Sequence, residues 1–288
     1  MNKFATCLWF DNQAEEAANF YTSVFENSRV GNVARYGKAG AQMSGQKEGN
    51  VMVVDFTIEN QDIQALNGGP IFKPTASFSY VISCKNEDEL NKKWKKLSDG
   101  GTIRMALDKY PWAEKYGWTC DRYGVDWQLT LNPSPNKIIP SLLFVDGLYG
   151  KGDEAMKFYT SIFPNSKINM AAHDDKDGHV MYAEFTLGGQ TFSLMEGPGN
   201  HQHTFTNGNS IVVNCDSQKE IDLYWDKLSV GGTIEECGWL KDKFGVSWQI
   251  VPSTMATIMP DPVKADKVMA AMMGMKKLDM DKLMAAAK

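Results

Sequence analysis

Gly117 to Gln128 reads GWTCDRYGVDWQ, and Gly238 to Gln249 reads GWLKDKFGVSWQ. Upstream of each copy stands a second matched pair, WKKLSDGGTI from Trp94 to Ile103 and WDKLSVGGTI from Trp225 to Ile234. A third pair lies earlier still, FYTSVF over Phe20 to Phe25 and FYTSIF over Phe158 to Phe163. Three matched blocks in one order, with spacings that drift by a few residues, make the chain a duplication. Each half then carries one complete structural unit, and any site should appear twice or lie between the halves.

Periodicity gives the content of a unit. Phe4 to Phe10 is strand-like, and Gln13 to Phe25 places Ala14, Ala17, Ala18, Tyr21 and Val24 at helical spacing, with Asn12 as the expected cap. Val30 to Tyr36, Val51 to Ile58 and Asp62 to Leu66 read as three further strands between Gly- and Asn-rich turns. The order βαβββ repeats from Ser77 to Leu131, through a helix over Glu87 to Leu97 stopped by Gly100 and Gly101. Pro133 and Pro135 set a boundary near residue 136. The expected divisions are residues 1–135, residues 136–256 and a Met-rich helical tail over 257–288, whose Val268, Met272 and Met275 would dock on the body.

Composition excludes some functions. A net charge of -5 supplies no clustered positive field for nucleic acid or an anionic membrane surface. The apolar run at the N-terminus is too short to cross a bilayer, so a cytoplasmic protein is expected. Five cysteines without CxxC spacing give neither a disulfide framework nor a zinc knuckle. A small molecule is the expected partner, with a homodimer on the general frequency of symmetric oligomers.

Four βαβββ modules, with FYTSxF after the first strand of each half and DxxGxxWQ on the last, resemble the vicinal oxygen chelate (glyoxalase/bleomycin resistance) superfamily. The closer resemblance is to its PhnB-like, 3-demethylubiquinone 3-methyltransferase-like branch. It implies an α+β fold in which four modules form two glyoxalase-like domains, each with a curved mixed sheet and ligand on its concave side. Metal-dependent members hold a divalent ion on their first, fourth, fifth and eighth strands. The positions corresponding to these are Thr6, Gln64, Ser79 and Gln128 in the first half and Ser141, Ser193, Ser210 and Gln249 in the second.

Hydroxyls and amides lack the charge that a divalent ion demands, so these positions suit a polar ligand, and no metal or other cofactor is expected. Alternation along a strand then puts Trp127 and Trp248 beneath the helices. Trp118 and Trp239 are candidate cleft aromatics. Asn67 and Glu196 occupy equivalent places after the fourth strand of each half; Glu196 is the candidate catalytic group, and His201 and His203 are unmatched in the first half. The primary expectation is a binding protein. The alternative is an enzyme of the superfamily, metal-free or with a displaced metal, an isomerase, lyase or transferase, including the methyl transfer that the branch's label implies. No glycine-rich cofactor loop accompanies that label.

Overall fold

The computed structural model describes residues 2–134 and 138–288; the boundary expected near residue 136 lies outside the described residues. The first module comprises β1 (Phe4–Phe10), α1 (Ala14–Val24), β2 (Ser28–Arg35), α2 (Lys38–Ser44), β3 (Val51–Ile58) and β4 (Gln61–Asn67). The second comprises β5 (Phe78–Cys84), α3 (Glu87–Ser98), β6 (Thr102–Tyr110), β7 (Ala113–Cys120) and β8 (Asp126–Leu131). The third runs β9 (Ile138–Val145), α4 (Gly152–Ile162), β10 (Lys167–His173), β11 (Val180–Leu187) and β12 (Gln190–Gly197). The fourth runs β13 (Asn209–Cys215), α5 (Gln218–Leu228), β14 (Thr233–Ile234), β15 (Trp239–Lys241) and β16 (Ser247–Pro252), followed by α6 (Met255–Ile258), α7 (Pro262–Met272) and α8 (Met280–Ala286). The α+β class of four βαβββ modules with a helical tail is therefore present; the short α2 and α6, and a single 3-10 turn at Asp146–Leu148, were not expected from the sequence.

The modules do not pair in sequence order. One eight-stranded sheet runs β14-β15-β16-β13-β1-β4-β3-β2 and joins module one to module four through antiparallel β1 and β13. The other runs β10-β11-β12-β9-β5-β8-β7-β6 and joins modules two and three through antiparallel β5 and β9. The compact bodies follow the sheets: unit 1 is Met1–Ser23, Asn27–Lys73 and Thr206–Lys288, and unit 2 is Val24–Glu26 with Pro74–Phe205. Division into residues 1–135 and 136–256 thus describes the repeat in the chain and not the packed bodies, and the tail is part of unit 1.

The DxxGxxWQ motif explains itself locally. Asp121 Oδ1 accepts from the backbone N–H groups of Tyr123 and Val125, and its Oδ2 accepts from Trp127 Nε1 at 2.7 Å. Gly124 supplies the positive φ of +87° that the turn requires. Asp242 repeats each bond with Phe244, Val246 and Trp248. One carboxylate ties a turn to a fully buried indole, so the next residue, Gln128 or Gln249, must face the other side of the sheet.

In unit 1, α7 packs on the sheet face opposite α1, while the stretch leading into α8 bonds α5: Lys277 Nζ donates to Asp222 Oδ1 at 3.2 Å and to Asp226 Oδ1 at 2.8 Å, and Met280 N donates to Gln218 Oε1 at 2.8 Å. Val268 and Met272 of α7 form one apolar cluster with Ile258, Leu278 and Leu283, against which Val251 and Met269 pack. Met269 also packs, with Val53 and Leu66, against a second cluster of Ala34, Tyr36, Ala41 and Met52. Asp266 of α7 accepts from Ala39 N at 2.8 Å and so anchors the start of α2. Burying each of these large side chains contributes roughly 1.5–3 kcal/mol.

Candidate functional site

Register assigns every strand residue to a face. In unit 2, Tyr80, Ile82, Trp127 and Leu129 face the helices, so Ser79, Val81, Asp126 and Gln128 face the concave side. Ser141 pairs with both Ser79 and Ser193, and Ser193 pairs with Glu184. One cross-strand row therefore reads Asp126, Ser79, Ser141, Ser193, Glu184. Gln128 donates from Nε2 to Ser79 Oγ at 2.8 Å and accepts from the Tyr116 hydroxyl at 2.6 Å. Trp118, opposite Gln128, donates from Nε1 to Asp126 Oδ1 at 2.8 Å. Ser141 Oγ and Ser193 Oγ are buried with no hydrogen-bond partner, although the Tyr182 hydroxyl lies near Ser193.

In unit 1 the equivalent row is Gln64, Cys7, Ser210, Ser247. Gln249 donates to Ser210 Oγ at 2.9 Å, Gln64 donates to Asp55 Oδ1 at 3.1 Å, and Trp239 lies opposite Gln249 with its ring 6.1 Å from that of Trp9. Burial pushes the Cys7 thiol up to about 12 and raises the Asp55 carboxyl above its ordinary range. A cavity of about 660 Å³ remains at one end of this face, lined by Ala5, Arg29, Asp55, Asp62, Gln64 and Asn214.

The sequence positions are thus regrouped. Ser79, Gln128, Ser141, Ser193 and Trp118 meet in unit 2, while Gln64, Ser210, Gln249 and Trp239 meet in unit 1. Three expected residues are not on a concave face. Thr6 pairs with Ile211 and Ile63 on the helix side, so the register is off by one and Cys7 takes the cleft position. Asn67 Oδ1 accepts from Ala14 N at 2.8 Å, which caps α1 in place of Asn12. Glu196 does the same for α4, accepting from Gly152 N at 2.8 Å and Val180 N at 2.6 Å. Its carboxylate is buried with both oxygens engaged, so the acid–base role expected for Glu196 is replaced by a structural one.

Three groups escaped the sequence reading or were undervalued by it. Arg104 bonds Asp126 through Nε and, at 3.0 Å, through Nη2. Tyr116 caps the Gln128 amide. His203 places Nδ1 2.9 Å from Ser77 Oγ, and burial holds its ring below the usual histidine range. The signal for the first two was the insertion between the repeated blocks: fifteen residues separate Gly101 from Gly117, against five between Gly232 and Gly238.

No protein of curated function matches the chain. Among solved structures, the PhnB protein of Bacillus cereus is 39% identical over 44% of this chain and 97% of its own, with a TM-score of 0.41. Glyoxalase I from Zea mays aligns over 88% of this chain and 92% of its own at 14% identity and a TM-score of 0.57, a likeness that shows the fold. Residues 2–130 and 136–251 both match the family described as 3-demethylubiquinone-9 3-methyltransferase, and the chain belongs to that family, in two tandem copies.

Proposed function

We propose that the concave face of unit 2 is a small-molecule binding cleft that works without a divalent metal. The observation that carries this reading is the hydroxyl row: Ser141 Oγ is buried and unpartnered, and Ser193 Oγ has only the Tyr182 hydroxyl near it, beside Ser79 and Gln128. Buried polar atoms without partners cost about 1–3 kcal/mol each, a cost that a bound polar ligand would relieve. Ser79, Gln128, Ser141 and Ser193 are neutral, Asp126 is already committed to Arg104 and Trp118, and Glu184 at the far end of the row accepts from the Tyr182 hydroxyl at 2.9 Å, so the donor set does not fit a divalent ion. Both sheets are built within one chain; a homodimer would use other surfaces. No helix among the described residues is long and apolar enough to cross a membrane.

Native mass spectrometry with elemental analysis, on protein purified without a metal-affinity tag, tests the proposal. A discrete extra mass without metal, lost in Gln128→Ala, is the expected result; a stoichiometric divalent ion would overturn the metal-free reading. A second reading, catalysis on the bound ligand, is favoured by His203, a neutral imidazole held by Ser77. It could accept a proton during a transfer or isomerisation such as the one that the family's description names. Under that reading His203→Gln abolishes turnover of the identified ligand while leaving its binding intact.

A further inference from the structure

We infer that the Arg104 and Asp126 pair anchors the carboxylate of a flat aromatic ligand in unit 2, an inference that rests on the cleft reading above. Asp126 stands where unit 1 has Ser247, and its side chain is 0% exposed. A buried ion pair gains little stability over apolar packing, because desolvation offsets the attraction. Here the geometry assigns it another use. Both Asp126 oxygens are occupied, by Arg104 Nε and Trp118 Nε1 on Oδ1 and by Arg104 Nη2 on Oδ2. The carboxylate therefore works as a clamp that fixes one guanidinium and one indole.

Arg104 lies in the register break between Ile103 and Met105, and its side chain remains 37% exposed. Asp126 takes two of its five N–H groups, and the Cys120 thiol lies near the others. A fixed, planar, always-charged fork recognises a carboxylate through paired hydrogen bonds. His203 is close enough for its charge state to respond to both Arg104 and Asp126.

The other end of the strip is aromatic. Tyr110 stacks on Trp112 at 5.1 Å between centroids, and both meet Tyr116 edge-on at 5.7 and 6.0 Å. Trp112, in the hairpin turn between β6 and β7, is 65% exposed, and no counterpart exists in the shorter hairpin of unit 1. From Tyr116 to Cys120, level with Asp126, is four residues of strand, about 13 Å. Trp118 lies between. A guanidinium at one end, an indole in the middle and an aromatic ladder at the other match a planar ring system with one carboxylate.

The test titrates the full chain with 2-naphthoate and with neutral 2-naphthamide, following tryptophan fluorescence and heat of binding. Naphthoate should bind at least tenfold tighter than the amide. The double variant Arg104→Gln/Asp126→Asn, which removes both charges without stranding a buried carboxylate, should erase that preference. Trp112→Ala should weaken both probes by a similar factor. Equal affinities, a preference that survives the double variant, or no binding of either probe would overturn the inference. Failure of both probes alongside a discrete co-purified mass sinks only the carboxylate assignment. Failure of both with no co-purified mass and no metal sinks the cleft reading as well.

Discussion

The two concave faces descend from one repeated design and now differ in what covers and what furnishes them. In unit 1 the face carries Cys7, Ser210 and Gln249, and the chain's own tail lies on part of it through Met269, Val268 and Met272. In unit 2 the matching position of Ser247 is Asp126, clamped to Arg104, and an extended hairpin adds Tyr110 and Trp112. The helix-facing machinery is alike in both: Asp121 and Asp242 make the same three bonds. The difference teaches that the side of the sheet under the helices is constrained by packing and buried hydrogen bonds, whereas the concave side was free to diverge toward self-coverage in one unit and toward charge in the other.

Removing residues 261–288 is the most severe challenge to that contrast. With roughly 1.5–3 kcal/mol for each large apolar side chain lost, unit 1 should lose more than about 5 kcal/mol. Hydrogen exchange should then accelerate in β13 and β16 while β5 and β9 keep their protection; equal acceleration in both units would break the assignment of the tail to unit 1. Next, Asp121→Ala and Asp242→Ala each strand an indole N–H and two turn N–H groups, at a cost of about 3 kcal/mol. Exchange mapping should localise each loss to its own unit.

Smaller effects sharpen the comparison between equivalent caps. Glu196→Ala should cost about 2–3 kcal/mol and Asn67→Ala about 1 kcal/mol in denaturant unfolding, because the first leaves two buried donors at a charged acceptor's place. A Glu196→Ala protein that keeps its stability but loses ligand would restore Glu196 to the site. The least effect is a pH dependence confined to unit 2. His203 titrates below its usual 6.5 when folded, chiefly through burial, so its contribution is complete above pH 6.5 and declines as pH falls through the folded value. Ring-proton NMR should place the titration below 6.5, and His203→Gln should flatten the acid side of the stability profile.

Much of this was legible in the residues. The βαβββ order, the placement of Trp127 and Trp248 beneath helices and the tail's buried Val268 and Met272 all follow from periodicity and alternation. Thr6 was misplaced because counting back from a helix leaves one residue of slack, and one residue reverses the face of a strand. Glu196 was misread because position after a strand does not say which backbone N–H groups will arrive there; the start of α4 and Val180 come from elsewhere in the chain. Arg104 was passed over because an unpaired insertion has no repeat partner to mark it.

The sequence by itself determined the duplication, the module and the residue types available to a cleft, since these depend on local patterns of size, polarity and turn chemistry. Only the tertiary structure decided that module one joins module four and module two joins module three. Strands pair through backbone groups that are nearly the same at every residue, so β1 and β5 carry no local label naming β13 and β9 as partners. The choice is made by long-range packing of whole modules, and with it the membership of each site: Ser79 and Ser141, on opposite sides of the repeat boundary, become neighbours on one sheet.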